Sequence, residues 1–261
     1  MAVLGDAGAA ARQELKVHFI YVGYGDASLI QFPDGKNVLL DSGPADKSAA
    51  LTDYLMKAGV DKLEAAIITH PHDNHFGGLS AVLERFPVGR VYVNGDERGE
   101  PGYSELLAGI KNKNIPIEVL RRGQALPDMP EGVSFLILHP KDLNGSVNGN
   151  AIVSWLKYGK TSFVFMADVE KDEQEEIFKE FKGLEEADCI TTPHHGRDIS
   201  KKFVKTFAGR DKFFIVSFGE NAYGKVDRVK LGRLTGKVFE LNFTGSVAFV
   251  SDGKRVGRIN E

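Results

Sequence analysis

Three of the chain's seven histidines, His70, His72 and His75, fall within six consecutive positions. They follow the apolar run Leu63-Glu-Ala-Ala-Ile-Ile-Thr69 and precede Gly77-Gly78 and an amphipathic stretch. Imidazole is the commonest protein ligand for zinc-like ions, and one-residue spacing on an extended backbone projects His70 and His72 to the same side. A loop at the end of a buried strand lets such side chains converge while the sheet holds them still. The alternative is a polar surface loop that binds nothing. Asp168 closes a second apolar run, Ser162-Phe-Val-Phe-Met-Ala, either as a site carboxylate or as the N-cap of the charged segment that begins at Glu170. His194 and His195 follow Cys189-Ile-Thr-Thr-Pro, either as ligands or as a polar turn after a buried strand.

These residues need elements to carry them. Strands are expected at Leu15–Val22, Ala27–Phe32 and Asn37–Leu40, the last two joined by a tight turn at Asp34-Gly35. Ser48–Ala58 has Leu51, Tyr54 and Leu55 at helical spacing and stops at Gly59. Leu63–Thr69, Arg90–Asn94, Ile117–Leu120, Val133–Leu138, Ala151–Tyr158, Ser162–Met166, Cys189–Thr192 and Phe213–Phe218 read as further strands. Leu79–Phe86, Tyr103–Lys113 and Lys171–Phe181 read as helices, and the tail from Lys237 to Val250 reads as a final β-pair. Helices and strands interleave, yet several strand pairs are hairpins. That combination predicts a four-layer αββα sandwich of two mixed β-sheets with outer helices rather than a doubly wound parallel sheet. With no internal repeat or long linker, residues 15–261 are expected to form one domain behind a flexible leader, 1–14.

The 261 residues, 42% hydrophobic and 26% charged, are enough to bury a sizeable core. A net charge of −3 gives no global basic footprint for holding nucleic acid, while a local basic patch remains compatible with a small or nucleotide-type anionic substrate. One cysteine, Cys189, excludes an intramolecular disulfide and a multi-thiolate zinc site, and its apolar neighbours suit a small buried hydrophobe better than a reactive thiol. No run reaches the ~20 apolar residues of a membrane-crossing helix. The N-terminal segment lacks the basic and long apolar regions of an intact signal peptide, so cytoplasmic and processed, secreted forms both fit.

The histidine block His70-Pro-His72-Asp-Asn74-His75 resembles the His-x-His-x-Asp-His motif of the metallo-β-lactamase superfamily. Phe19-Ile-Tyr-Val-Gly-Tyr-Gly-Asp-Ala-Ser-Leu-Ile and Leu39-Leu-Asp41-Ser-Gly43 are similar to the opening strands of one of its subgroups, which includes the C-terminal domain of the DNA-uptake competence channel. Ser162–Asp168 and Thr192-Pro-His194-His195-Gly196 resemble that subgroup's later blocks, in the same order. The resemblance implies two adjacent metal positions for one or two zinc ions (Zn2+), with manganese (Mn2+) as a substitute. His70 and His72 would bind the first metal, His75 and His194 the second, and Asp168 would bridge both. Asp41 would orient a ligand histidine through a hydrogen bond, and His195 is a further candidate. The third ligand of the first position falls to His139, at the end of an apolar strand, or to Asn148 or Asn150.

The chain also departs from that pattern. Asn74 stands where the family has a metal-binding aspartate; a carboxamide is neutral and accepts no proton at working pH. Asp73 is adjacent, but its side chain is expected to point elsewhere. Tyr21 and Tyr24 replace an aspartate and a glutamine, Arg197 follows His-His-Gly in place of a serine, and Lys225 stands for a histidine. The resemblance implies a metal-dependent hydrolase of a phosphodiester or phosphate ester, with Asp168, Asn74 and Arg197 nearest the chemistry and Arg197, with Lys225, facing an anionic group. A second reading, motivated by Asn74, Tyr21 and Lys225, is a non-catalytic or weakly active metal- or ligand-binding member of the same fold. A lactonase, thioesterase or β-lactamase is a third.

Overall fold

Apolar residues occupy both faces of most strands, so each sheet must be covered twice. In Thr161–Phe165, Phe163 and Phe165 face one apolar cluster and Val164 another; in Asn37–Ser42, Val38 and Leu40 part from Leu39 in the same way. The period of two along a strand produces this division, and it forces a layered molecule.

The computed structural model describes residues 14–259 other than 99, 144 and 222. All of the expected leader except Glu14 lies outside the described residues. An eight-stranded sheet runs in the spatial order Val256–Ile259 (β14), Val247–Ser251 (β13), Leu15–Phe19 (β1), Ala27–Gln31 (β2), Asn37–Ser42 (β3), Ala65–Ile67 (β4), Val91–Val93 (β5) and Ile117–Val119 (β6). A six-stranded sheet runs Lys237–Glu240 (β12), Phe213–Val216 (β11), Cys189–Thr191 (β10), Thr161–Phe165 (β9), Val153–Tyr158 (β8) and Val133–His139 (β7). Each sheet is mixed: antiparallel pairs run from β14 to β3 and from β9 to β7, parallel pairs from β3 to β6 and from β9 to β12.

Between the sheets lies a cluster rich in phenylalanine, including Phe19, Phe135, Phe163, Phe165 and Phe249. On the outer face of the larger sheet, Ser48–Lys57 (α1), Leu79–Arg85 (α3) and Tyr103–Asn112 (α4) bury Leu51, Leu55, Leu79, Val82, Leu106 and Ile110; the short Asp73–Phe76 (α2) precedes α3. On the outer face of the smaller sheet, Lys171–Glu180 (α5), Lys201–Phe207 (α6) and Arg228–Leu231 (α7) bury Ile177, Phe178, Phe203, Phe207 and Leu231. The result is the expected αββα sandwich. No helix among the described residues is long and apolar enough to cross a membrane.

The tail differs from expectation. β12 and β13 do not pair: β12 adds parallel to β11 in the smaller sheet, while β13 pairs with β1 and β14 in the larger one. Leu241–Thr244 (α8) carries the chain between them, and Phe239 and Phe249 then meet inside the sandwich with ring centroids 5.7 Å apart. Two short apolar strands close in sequence look like a hairpin, but here each completes a different sheet around the shared core. α6 also formed where no helix was expected, over Phe203, Val204 and Phe207, with the Ser200 hydroxyl accepting from Phe203 N at 2.9 Å as its N-cap.

Phe249 is fully buried against Phe19, Phe213 and Phe239. Phe249→Ala is therefore expected to lower unfolding free energy by about 3–5 kcal/mol in urea denaturation; a loss under about 1 kcal/mol would contradict this picture of the inner layer.

Candidate metal centre

Parallel strands of both sheets end on the same side of the sandwich, and that is where open α/β sheets place their ligands. Asp41 is the penultimate residue of β3, β4 leads into His70, His72 and α2 with His75, β9 leads to Asp168, and β10 leads to the turn Pro193–Gly196 with His194 and His195. The backbone is strained here. Among the described residues, six non-glycines have positive φ, and Asp41 (56°), Ala167 (47°), His194 (48°) and His195 (54°) are four of them. Left-handed non-glycine residues cost of order 1–3 kcal/mol each and persist where the surroundings over-determine them.

Asp41, 3% exposed, organises two histidines. Its Oδ1 accepts from Thr69 N at 2.8 Å, and its Oδ2 accepts from the Thr69 hydroxyl and from His75 Nδ1, each at 2.8 Å. Having given its proton to Asp41, Thr69 Oγ1 accepts from His70 Nδ1 at 3.1 Å. Both rings thus carry a proton on Nδ1, and their Nε2 atoms face Asp168: His75 Nε2 is 3.4 Å from Oδ1 and His70 Nε2 is 3.8 Å from Oδ2. A second pair joins from the Pro193–Gly196 turn, with His195 Nε2 3.4 Å from Oδ1 and His194 Nε2 3.6 Å from Oδ2. His72 completes the group through its Nδ1, 2.9 Å from His70 Nε2.

The surroundings divide into two halves about the Asp168 carboxylate. On the Oδ1 side lie His75 and His195, ring centroids 5.3 Å apart, with the Asn74 carboxamide 3.0 Å from His195 Nε2. On the Oδ2 side lie His70 and His194, with Asn148 Nδ2 3.4 Å from His194 Nε2. The resemblance puts His194 beside His75; in the structure His195 takes that place, and His194 shares Oδ2 with His70. His139 lies outside the group: its Nε2 donates to Gly149 O at 2.7 Å. Asn150 also turns away, donating to Asp96 at 2.8 Å, so of the two asparagines Asn148 is the one that reaches the histidines. Asp73 lines the adjacent cavity from the first turn of α2, and Lys225 is exposed and not among the cavity-lining residues.

Asp26 is a member that sequence reasoning passed over. Its Oδ1 is 3.5 Å from His195 Nδ1. Gly25 makes this approach possible, since a Cβ there would sit 2.3 Å from Asn74 O; Asp26 N then donates to Asn74 O at 3.2 Å. The signal was the Gly-Tyr-Gly-Asp run after the first strand.

Several buried polar atoms have no hydrogen-bond partner, including His75 Nε2, Asp168 Oδ1, His194 Nδ1 and His195 Nδ1. Imidazole lone pairs aimed at a carboxylate repel it unless a cation lies among them, and unpaired buried polar atoms are costly. Nitrogen and oxygen donors so arranged fit a zinc-type ion. His70, His75 and Asp168 offer ligand atoms within 4.8 Å of one another, and so do Asp26, Asp168 and His195. Burial opposes charge on His75 and His195, but Asp168 with Asp41 holds the first imidazole well above its ordinary value, and Asp168 with Asp26 raises the second to about 9. Burial would raise Asp168, yet His195 and His75 pull it well below the carboxylate range. Burial, reinforced by neighbouring His75, keeps His70 and His72 neutral, and burial takes His194 down to about 4. The site therefore favours positive charge next to Asp168 and keeps His70, His72 and His194 neutral, while a metal held by His75 and His195 would have to displace their protons.

The cavity above it, about 760 Å³, is lined by His72, Asn74, Asn148, Asp168, His194 and Arg197 at its floor and by Tyr21, Tyr24, Tyr223, Lys47 and several carboxylates further out. An Arg197 Nη2 meets His194 Nε2, and its Nε is buried without a partner.

The sequence model of the metallo-β-lactamase superfamily matches residues 20–197. The chain is 25% identical to ComE operon protein 3 of Bacillus subtilis over 228 residues, 80% of this chain and 29% of that protein. It is 24% identical to competence protein ComA of Neisseria gonorrhoeae over 220 residues, 82% of this chain and 29% of that protein. The chain thus spans less than a third of the length of these relatives. Among solved structures, the metallo-β-lactamase fold protein YhfI from Bacillus subtilis matches 92% of this chain and 100% of its own at 14% identity with a TM-score of 0.61. A diphosphatase of the PhnP family matches 91% of this chain and 98% of its own at 14% identity with a TM-score of 0.52. Both share the fold.

His195 gains a proton on folding, because its value of about 9 lies above the ordinary 6.5. Its contribution to stability is complete below pH 6.5 and is lost as pH rises through about 9. In chelator-treated protein the Tm is expected to fall across that window, and His195→Gln should flatten the slope. A Tm that holds constant or climbs there would contradict the assignment.

Proposed function

The chain belongs to the metallo-β-lactamase superfamily, and on that premise we propose that it is a metal-dependent hydrolase of a phosphodiester or phosphate ester. The observation that carries this reading is the convergence of four imidazoles on the Asp168 carboxylate at the floor of an open cavity. His70, His72 and His194 would hold one ion with Asp168 Oδ2, and Asn148 stands beside them. His75 and His195 would hold a second with Asp168 Oδ1, with Asn74 and Asp26 at its edge. Zinc or manganese held there would supply a Lewis acid for the phosphoryl oxygen and would lower the pKa of a bound water toward neutral.

The chain's own residues do the rest. Asp41 fixes the tautomers of His70 and His75, so that both Nε2 lone pairs face inward. Arg197 brings a permanent cation to the cavity lining, suited to a phosphoryl oxygen, with Nη1 on the Tyr223 carbonyl and Nη2 on His194. Tyr24 keeps its phenolic proton, because burial and then Asp168 raise its pKa above the ordinary value, and so remains a hydrogen-bond donor beside His195. The family's proton-accepting aspartate is absent, since Asn74 holds that place; this supports a low turnover rather than a high one.

Asn74 and the contact of Arg197 with His194 also favour a second reading, a member that binds a metal or anion without turning it over. Hydrolysis of bis-p-nitrophenyl phosphate by protein purified without chelator separates the two. The hydrolase predicts turnover that chelator abolishes, a loss of about 100-fold or more in Asp168→Ala, and a gain on the order of tenfold in Asn74→Asp. Absence of turnover in the wild type and in Asn74→Asp, with zinc or manganese supplied, would overturn it and leave the binding reading.

A further inference from the structure

Two tyrosines from separate loops meet at the mouth of the cavity. Tyr24 lies between β1 and β2 and Tyr223 follows β11; their ring centroids are 5.7 Å apart and their planes differ by 26°, a stacked pair. The loops touch backbone to backbone, since a Cβ on Gly219 would fall 2.4 Å from Gly23 C. Asn221 Oδ1 accepts from Tyr223 N at 2.7 Å and from Gly224 N at 3.1 Å, and Arg197 Nη1 donates to Tyr223 O at 2.8 Å. The backbone of Tyr223 is thus held firmly while the residue as a whole is 73% exposed. On the inner side, the Tyr24 ring rests 4.5 Å from the His195 ring. The series His195, Tyr24, Tyr223 leads from the metal centre outward and ends on an aromatic ring open to solvent.

Arg197 links this series to the anion position. Its guanidinium carbon lies 5.6 Å from the Tyr24 ring centre, it bonds the backbone of Tyr223, and it touches His194. A phosphoryl group on Arg197 would therefore have a ring-bearing substituent within reach of Tyr223. The rim narrows the choice further. Asp46, Asp73, Glu100 and Glu220 line the cavity against Lys47 and Arg197, and Lys47 is already paired with Asp46 at 3.1 Å. A rim with this excess of carboxylates disfavours a long polyanion, whose binding rests on neutralising many phosphates. A quaternary ammonium needs aromatic faces that converge on it; a parallel stack offers one outer face, which suits another flat ring.

We propose that Tyr223, backed by Tyr24, is a stacking platform for a planar aromatic ring, aryl or nucleobase, carried by the non-leaving ester group of a small phosphodiester whose phosphoryl group lies against Arg197. The proposal rests on the hydrolase reading for its substrate class, but the platform can be tested apart from turnover.

Two esters with the same leaving group test it: the p-nitrophenyl ester of thymidine 5′-phosphate and methyl p-nitrophenyl phosphate. The wild type is expected to favour the thymidine ester in kcat/KM by about tenfold, a gain in the range of one base–aromatic stack. Tyr223→Ala should bring that ratio to within about twofold of unity, and Tyr223→Trp should keep it. No preference in the wild type, or the same preference in Tyr223→Ala, would overturn the platform while leaving the hydrolase reading intact. If neither ester is hydrolysed by the wild type or by Asn74→Asp with zinc or manganese supplied, the hydrolase reading fails, and saturation-transfer NMR with thymidine 5′-monophosphate reads the platform alone. Transfer to the base protons that is lost in Tyr223→Ala supports it, and no transfer overturns it.

Discussion

The buried Asp41 carboxylate, held at Oδ1 by Thr69 N and at Oδ2 by the Thr69 hydroxyl and His75, is the constraint on which the centre depends. A carboxylate this deeply buried is costly unless its oxygens are paired, and here three donors pair them. The arrangement also does something no isolated hydrogen bond could. It sends the Thr69 proton one way, which obliges His70 to donate to the same oxygen, and it takes the Nδ1 proton of His75 directly. Two imidazoles on different turns are thereby set in one tautomer, with their remaining nitrogens aimed at Asp168. The left-handed backbone of Asp41 is consistent with a residue held in place by what it binds.

That centre joins the two sheets. Asp41 and the His70–His75 segment come from the ends of β3 and β4 in the larger sheet, and Asp168 with His194 and His195 from the ends of β9 and β10 in the smaller one. Neither sheet could form the group alone. The aromatic layer between them, with Phe19, Phe135, Phe163, Phe165 and Phe249, fixes their separation and thus the distance across which the imidazoles meet Asp168. Strained φ values at Ala167, His194 and His195 fall on the smaller sheet's contribution, so packing stabilises a local geometry that the isolated segments would avoid.

Much of this was legible beforehand. Alternation in strands such as Ser162–Met166 and the Gly35 and Gly159 turns imply a layered α/β molecule, and a histidine cluster at the end of an apolar strand implies a site. Boundaries and partners were less legible. The strands at Lys237–Glu240 and Val247–Ser251 lie close together in sequence but join opposite sheets, because pairing is decided by the core and not by proximity along the chain. Which of two adjacent histidines faces which oxygen depends on consecutive left-handed residues, a conformation no spacing rule anticipates. Asp26 and the Tyr24–Tyr223 stack arise from close loop contacts at Gly25 and Gly219, and these appear only once the chain is folded.

On the hydrolase reading, the two oxygens of Asp168 would define two adjacent cation positions, one toward His70, His72 and His194 and the other toward His75 and His195. Anomalous X-ray diffraction at the zinc edge, from crystals grown with zinc and without chelator, tests it most directly. A peak is expected on the Oδ2 side among His70, His72 and His194, and a weaker one on the Oδ1 side, where Asn74 supplies no negative charge. A zinc peak bound elsewhere with none beside Asp168 would contradict it.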